Sequence, residues 1–311
     1  MSAKDRDGGD SAMPPNNEDT NGSQASGSSL RSARSIFSIP APIKRIFDRF
    51  PLTTYPANEL PHSTIRSKQS HELYIFTDTR GSRHGKPSFN PQCLKWQAYL
   101  KFTGVEFVTI PSNNHASPTG ALPFLLPAAS PSLPSLTPIP SNKLRTWAAE
   151  QVQVEQESQF SMRAESYASL LDHRIRNAWL CTLYLNNQNF DAIARKLYIE
   201  PSTSNSLVRI AMARQLQQAA RDELLKYSDF IDVDDLEIEA KKAFSALSTL
   251  LGDEEYFFGR ETPGLFDASV FAYTYLLLDE SLGWKQNPLA IHLKAHDNLV
   301  QHQKRLVERF F

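Results

Sequence analysis

The pattern of apolar and polar positions changes part-way along the chain and predicts two kinds of structure. Up to about residue 127, short apolar runs alternate with polar loops, and three of these runs are β-branched or aromatic enough to be strands: Glu72–Thr77, Val105–Ile110 and Ala121–Pro127. A helix that starts at Pro91 lies between the first two, and Gly104 follows it as a C-terminal cap. The segment after Pro127 is proline-rich, with room for one short edge strand.

Beyond residue 141 the apolar residues recur at helical spacing, so we predict helices only. Ser141 is expected to cap the first of them. The predicted helices are Lys143–Gln156, Ser161–Tyr184, Phe190–Tyr198, Ser206–Lys226, Glu237–Leu251, Asp267–Leu278 and Pro288–Phe310. Strand, helix, strand, strand and then helices predicts an α/β fold in which a small sheet module (72–141) precedes an all-helical bundle (142–311).

The residues that precede the first strand divide into two parts. Residues 1–35 are rich in Gly, Ser, Asn and acidic residues and almost free of apolar ones, which predicts a disordered tail. They match neither a secretory signal, which needs an apolar stretch, nor a matrix presequence, which is poor in acids. Residues 36–71 are predicted to be a docking segment followed by a polar connector.

The docking segment contains a short amphipathic helix between Pro42 and Pro51. Its apolar stripe follows i, i+3, i+4, i+7 spacing, and a basic side lies opposite; the residues are Ile43, Ile46, Phe47 and Phe50 on the stripe and Lys44, Arg45 and Arg49 on the basic side. Eight or nine residues do not hold a helix alone in water, so the stripe has to dock on something. Three surfaces are open to it: the protein's own helical half, a partner protein, or a lipid surface. We predict a partner.

Composition narrows the classes of function. The chain has 311 residues, 41% hydrophobic and 22% charged, with a formal net charge of −1, so no overall field attracts nucleic acid or anionic lipid. Two cysteines, Cys93 and Cys181, exclude a disulfide framework and fit a reducing compartment. The apolar run Ala268–Leu278 is much shorter than the roughly 20 residues that span a bilayer. We therefore expect peripheral membrane contact only.

Four stretches carry a family resemblance. "CLKWQAYLKFTGVEF", "SYASLLDHRIRNAWLCTLYL" and "ALSTLLGDEEYFFGRETPGLFDASVFAYTYLLL" resemble the metaxin family, whose fold is like that of the glutathione transferases, with a thioredoxin-like first module. "SIPAPIKRIFDRFPLTTYP" is similar to the amino-terminal segment of the smaller metaxin-like subunit of the fungal mitochondrial sorting and assembly machinery. The positions that match fold motifs are Pro123, Ser141, Gly259 and Asp267. Gly264 stands where Ser or Thr is usual, which removes the side-chain partner of Asp267 in a capping box.

The resemblance implies a non-catalytic receptor and scaffold on the cytosolic face of the mitochondrial outer membrane. The implied partners are the barrel subunit of the assembly machinery, a second metaxin-like subunit and β-barrel precursor polypeptides. An extended precursor strand would be held by backbone pairing and side-chain pockets. No cofactor is implied.

The alternative is a soluble glutathione-dependent enzyme that uses Cys93 or Ser88. Such an enzyme needs a thiol-activating residue after the first strand, a proline whose neighbouring backbone clamps the peptide, and an acidic or amide residue before the capping Ser. Leu122-Pro123 fits the second requirement, whereas Pro140 fails the third. Cys93 is therefore predicted to be a buried small hydrophobe.

Two other groups of residues have the spacing of a metal site or of paired catalytic carboxylates, but we predict neither function for them. His292 and His296 have metal-ligand spacing, but no cysteine or glutamate completes a site, so we expect a solvated helix face. Asp232, Asp234 and Asp235 look like paired carboxylates and are predicted to charge the start of a helix.

Overall fold

The computed structural model describes residues 70–128, 137–152, 162–226 and 228–311. The predicted tail 1–35 lies outside them, as do the docking segment and its connector except for residues 70 and 71. The proposed division at residues 141 and 142 stays a prediction.

A four-stranded sheet forms the first module. Its strands are β1 His71–Ile75, β2 Phe107–Pro111, β3 Phe124–Leu126 and β4 Ile139–Pro140, in the order β2-β1-β3-β4. β1 and β2 are parallel, with His71 opposite Phe107, whereas β1–β3 and β3–β4 are antiparallel. One face of the sheet packs toward the helices. Its side chains include Leu73, Ile75 and Leu125, which are fully buried. The three predicted strands and the short edge strand are thus present, each shifted or shortened by a few residues.

Two helices belong to this module. α1, Thr79–Arg83, is a single helical turn; the Asp78 carboxylate accepts the Gly81 N–H and so caps it. α2, Pro91–Phe102, starts at Asn90, whose side chain accepts the N–H groups of Gln92 and Cys93, and Gly104 follows it at φ 76°. The predicted start and C-terminal glycine of α2 are confirmed.

The helical part contains eight further helices among the described residues. Their bounds are α3 Leu144–Val152; α4, made of Met162–Ser169, Leu170–Ile175, Arg176–Leu180 and Cys181–Leu185; α5, made of Asn187–Asn189 and Phe190–Ile199; α6 Ser206–Leu224; α7 Val233–Leu251; α8 Leu265–Leu278; α9 Pro288–Lys294; and α10 Asp297–Phe310. Parts of α4 and α5 are π-helical, as the Glu200 N–H to Arg195 C=O bond shows. No helix of the described residues is long and apolar enough to cross a membrane.

Two details of the predicted helices are wrong. Ser141 does not cap α3, because it begins a 3₁₀ turn, Ser141–Lys143, whose N-cap position is Pro140 and has no side-chain capping bond. The predicted helix Pro288–Phe310 is two helices, because the chain breaks at Ala295 and His296. Leu293 and Leu299 are both fully buried, and six residues of continuous helix would turn them to different faces.

α8 is the centre of the fold. Almost all of its residues are buried, including Phe271 and Leu276, and it lies against α2 and α10. The Phe102 and Phe271 rings meet edge to face with centroids 6.4 Å apart, and the Tyr273 ring meets Trp179 of α4 at 6.1 Å. One continuous core therefore joins the sheet module to the helices.

The start of α8 is fixed by Asp267, which is 1% exposed. Its carboxylate accepts the backbone N–H groups of Phe257 (3.0 Å) and Gly264 (2.9 Å), and His302 Nε2 of α10 lies 2.9 Å away. Gly264 supplies no side chain, so only half of a capping box forms, but the three polar contacts hold the turn together. Gly259, with φ 63°, completes the preceding Phe-Phe-Gly turn, a conformation that favours glycine.

Candidate binding cleft

Cys93 is enclosed in the core and is not presented to solvent. It lies in the first turn of α2, and its exposed fraction is 0%. Burial raises the pKa of the Cys93 thiol to about 12; contacts with the Phe76 backbone and the Ser88 side chain lower it only in part. The thiolate that a transferase needs is therefore absent at neutral pH.

Ser88 has a structural role at the same place. Its hydroxyl donates to the Phe76 carbonyl at 2.6 Å and accepts the Asn90 N–H at 3.2 Å, while its own N–H donates to Gln97 Oε1 at 2.8 Å. The residue is fully buried. Ser88 thus ties the end of β1 to the start of α2 and is not available as a nucleophile.

Three aromatic rings fill the space beside Cys93. Phe76 follows β1, Phe89 precedes α2, and Tyr198 comes from α5; their centroids lie 5.0–6.2 Å apart. Asn90 Nδ2 donates to the Tyr198 hydroxyl at 3.3 Å, which holds the third ring against the sheet module. We call Phe76, Phe89 and Tyr198 the aromatic cluster; it packs the end of β1 and the start of α2 against α5.

The proline motif is present, but its neighbouring backbone is engaged. Pro123 follows Leu122 through a cis peptide bond, immediately before β3. The Leu122 N–H, which would be free to clamp a peptide, donates instead to Asn114 Oδ1 at 3.0 Å. The sequence therefore has the proline that a glutathione transferase needs, but in the fold the Leu122 N–H beside it is already hydrogen-bonded.

An open cleft lies next to the aromatic cluster. We call it the neutral cleft; its volume is about 530 Å³, and its lining carries no Asp, Glu, Lys or Arg. The lining residues are Phe76, Asn113, Asn114, His115, Tyr198, Ile199, Ser202, Val208, Met212, Gln215, Leu216 and Ala219. A cleft of this size lined by apolar groups and a few neutral polar groups is suited to apolar ligands.

One wall of the neutral cleft is a stripe on α6. Val208, Met212, Leu216 and Ala219 follow at helical spacing, and Val208 remains 43% exposed. Sequence reasoning missed these residues because such a stripe on a long helix usually indicates core packing. The signal was that α6 also carries Leu207 and Ile210, so its apolar residues exceed what one buried face needs.

The histidine pair does not form a metal site. His292 Nε2 contacts Glu237 Oε1 at 2.7 Å, and His296 Nε2 lies 3.3 Å from the Ser245 hydroxyl. Among the residues that the structure describes, no group of three His, Cys, Asp or Glu side chains could hold a metal ion. Asp232 caps α7 by accepting the Asp235 N–H, and Asp234 and Asp235 lie in its first turn, as predicted.

The predicted partner-binding residues cannot be compared with the structure. Ile43, Lys44, Arg45, Ile46, Phe47, Arg49 and Phe50 lie outside the described residues.

Three family models match the chain. Residues 91–189 match the glutathione S-transferase N-terminal domain, residues 240–306 match the glutathione S-transferase C-terminal domain, and residues 37–93 match SAM35, a subunit of the SAM complex. The sheet module followed by a helical bundle is therefore a glutathione-transferase-like fold. The chain also resembles a glutathione S-transferase from Ceriporiopsis subvermispora, solved with glutathione, at 15% identity and a TM-score of 0.48, over 78% of this chain and 98% of that one.

The chain is similar to curated metaxins over about three quarters of its length. Metaxin-3 of Xenopus laevis is 28% identical over 74% of this chain and 75% of its own length. Metaxin-1 of Macaca fascicularis is 28% identical over 73% of this chain and 72% of its own length. The chain is metaxin-like. Together with the SAM35 match, this likeness supports a role in mitochondrial sorting and assembly.

This metaxin-like chain should show no thiol chemistry at Cys93. With a pKa of about 12, about one Cys93 thiol in 10⁴ is ionised at pH 8. We expect Cys93 to react with a maleimide only after unfolding, as followed by mass spectrometry, and the protein to pass through glutathione resin unretained.

The matched variant Cys93→Ala should lower the free energy of unfolding by about 1 kcal/mol and leave biological activity intact. Rapid labelling of Cys93 in the folded protein, or glutathione binding that this variant abolishes, would contradict the prediction.

Proposed function

We propose that this chain is a non-catalytic receptor and scaffold subunit of the mitochondrial outer-membrane machinery that assembles β-barrel proteins. The observation that carries the proposal is that Cys93 is buried, while the neutral cleft, which Phe76 and Tyr198 of the aromatic cluster help to line, stays open. The fold of a thiol transferase has thus kept a binding surface without the groups that would do its chemistry.

The partners we propose follow from the family. They are the barrel subunit of the machinery, a second metaxin-like subunit, and precursors of β-barrel proteins whose sorting signal the chain recognises. We propose that it sits peripherally on the cytosolic face of the outer membrane, held by its partners through the docking segment. The SAM35 match, which covers residues 37–93 and so includes that segment, supports this assignment.

The neutral cleft is the proposed place for the apolar side chains of a precursor. A strand that will face lipid carries an apolar residue at every second position, and such residues need a dry, uncharged surface before insertion. Val208, Met212 and Leu216 offer that surface along one wall. Because the lining carries no Asp, Glu, Lys or Arg, recognition there would depend on shape and hydrophobicity more than on charge.

Strand addition at the sheet edge can contribute little to this binding. The Ser112 N–H donates to the Ile75 carbonyl, so by alternation the N–H groups of Phe107 and Thr109 point away from β1. Pro111 holds the next outward position and has no N–H to offer. The β2 edge thus offers an added strand only two outward donors, so we place side-chain binding in the neutral cleft ahead of the backbone pairing that the resemblance suggests.

Site-specific photocrosslinking tests this function. We expect a photoreactive phenylalanine at Met212, in the full chain assembled in mitochondria, to crosslink to an imported β-barrel precursor. The same group at Glu254, which is exposed on another part of the helical bundle, is the control and should give at least tenfold less product.

A Val208→Asp substitution should weaken the Met212 crosslink, because it puts a charge into the neutral cleft. Equal crosslinking from Met212 and Glu254, or precursor that crosslinks to neither while assembly proceeds, would overturn the role of the neutral cleft.

A further inference from the structure

A second groove lies on the helical part of the chain, between α4, α6, α7 and α9. Its volume is about 520 Å³, and its apolar lining includes Leu185, Ile231, Val233 and Pro288. None of these residues lines the neutral cleft, so the two surfaces are separate. We call this second surface the acidic groove.

Apolar side chains at its border are left in solvent. Phe230 is 69% exposed, although it immediately precedes the groove residue Ile231, and Val233 is 57% exposed. Single exposed apolar residues are ordinary, but here two of them flank a concave apolar surface. That combination indicates a site that a partner covers.

Carboxylates neighbour these apolar residues in the sequence of the segment Ser228–Glu239, which contains no Lys or Arg. Asp229, Asp234 and Asp235 are exposed. Among the lining residues Arg221 is a cation, and Glu237 supplies an opposing charge. The border of the groove therefore carries a net negative charge.

We propose that the acidic groove binds a basic amphipathic helix of a partner protein, with apolar residues of that helix at i, i+3 and i+4 covering Phe230, Ile231 and Val233. An amphipathic helix in an apolar groove is a common mode of recognition, and Lys or Arg on its flanks would meet Asp229 and Asp234. The charge of the border favours a cationic helix over a second copy of the chain and over an anionic lipid surface.

Two other occupants conflict with that charge. A second copy related by two-fold symmetry would bring the same carboxylates together, which costs free energy. An anionic lipid surface would be repelled by the same side chains. A cationic helix is the occupant that gains from both the apolar lining and the acidic border.

Fluorescence anisotropy with the full-length chain tests the proposal. The probe is a labelled synthetic helix of about 18 residues with Leu at i, i+3 and i+4 and Arg on the remaining face, long enough to be helical when bound. A second peptide of identical composition but scrambled order removes the apolar stripe. We expect micromolar binding of the first peptide and at least tenfold weaker binding of the scrambled one.

Surface variants locate the site. Phe230→Ser with Val233→Ser should weaken binding at least tenfold, because both side chains are exposed and their loss removes contact area without opening the core. Asp229→Asn with Asp234→Asn and Asp235→Asn should weaken binding and reduce its dependence on salt between about 50 and 300 mM. Asp232 is left intact because it caps α7.

Two control variants change exposed residues outside the acidic groove. Leu207→Ser removes an equally exposed apolar residue from outside the groove, and Asp253→Asn removes an exposed charge elsewhere; neither should change binding. Thermal melts of all variants exclude loss of fold. The proposal is overturned if the two peptides bind equally, if the groove variants behave like the controls, or if Phe230 and Val233 are needed instead for binding to anionic vesicles.

Discussion

We expect Asp267→Ala to lower the free energy of unfolding by about 4 kcal/mol, because it leaves three buried polar groups without their acceptor. The N–H groups of Phe257 and Gly264 and the ring of His302 all meet this carboxylate, which is 1% exposed. His302 Nδ1 has no hydrogen-bond partner among the described residues, so the contact of the ring with Asp267 is its remaining polar anchor. Urea unfolding followed by circular dichroism measures the loss, and the melting temperature should fall by roughly 10 °C.

Asp267→Asn separates hydrogen bonding from side-chain volume. The amide keeps one acceptor oxygen but turns its NH₂ group toward a donor, so we expect about half the loss of the Ala variant. Asp253→Ala changes an exposed carboxylate and serves as the control, with an expected change within about 0.5 kcal/mol. If Asp267→Ala costs less than about 1 kcal/mol, the three contacts do not hold the start of α8 as described.

Substituting both Ile46→Asp and Phe47→Asp should release the chain from the outer-membrane complex that we propose. The stripe of Ile43, Ile46, Phe47 and Phe50 would bury four large apolar side chains, a gain on the order of 6–10 kcal/mol before ordering costs. Two charges placed in its centre remove about half of that gain and add desolvation of two carboxylates. Copurification with the outer-membrane barrel subunit after mild detergent extraction measures the effect.

The thermal stability of the double variant distinguishes docking on a partner from docking on the chain's own helical half. If it docks on a partner, the double variant should melt within a few degrees of the original chain. Unfolding of the isolated double variant would mean that the stripe packs on the chain's own helical half, and binding of the original chain to protein-free vesicles would favour lipid. Deletion of residues 1–35 is the matched control and should change neither melting nor assembly.

The basic side of the docking segment predicts that assembly depends on salt concentration. Lys44, Arg45 and Arg49 would meet acidic groups on the partner, so assembly should weaken as salt rises, and replacing Lys44 and Arg45 with Gln should reduce that dependence. Retention of the complex across the salt range would show that the apolar stripe alone carries the docking.

Two features of this transferase-like fold support the proposed binding role: the burial of Cys93 and the open neutral cleft. Phe76, Phe89 and Tyr198 pack together in an aromatic cluster, and Asn114 Oδ1 accepts the Leu122 N–H. The neutral cleft remains accessible, and its lining consists of apolar and neutral polar groups.

Local patterns in the sequence determined much of the fold. The β-branched run at Glu72–Thr77, Pro91 with Gly104 around α2, and Asp232 before α7 each act within a few residues, so they predicted elements that the structure contains. The family likeness of the Phe-Phe-Gly and Asp-Ala block also correctly marked the turn that positions α8. The burial of Cys93 was predicted because a free cysteine usually behaves as a small hydrophobe and the pattern of a thiol site is incomplete.

Tertiary contacts decided the rest, because they join residues that are far apart in the chain. The break at Ala295 and His296 exists because Leu293 and Leu299 must both reach one core, which periodicity within a single helix does not show. The neutral cleft requires Tyr198 and Met212 to face Phe76 across the module boundary, and Asp267 finds His302 thirty-five residues later. Sequence spacing specifies which face of an element is apolar, whereas only the packed fold decides whether that face is covered or left open to a ligand.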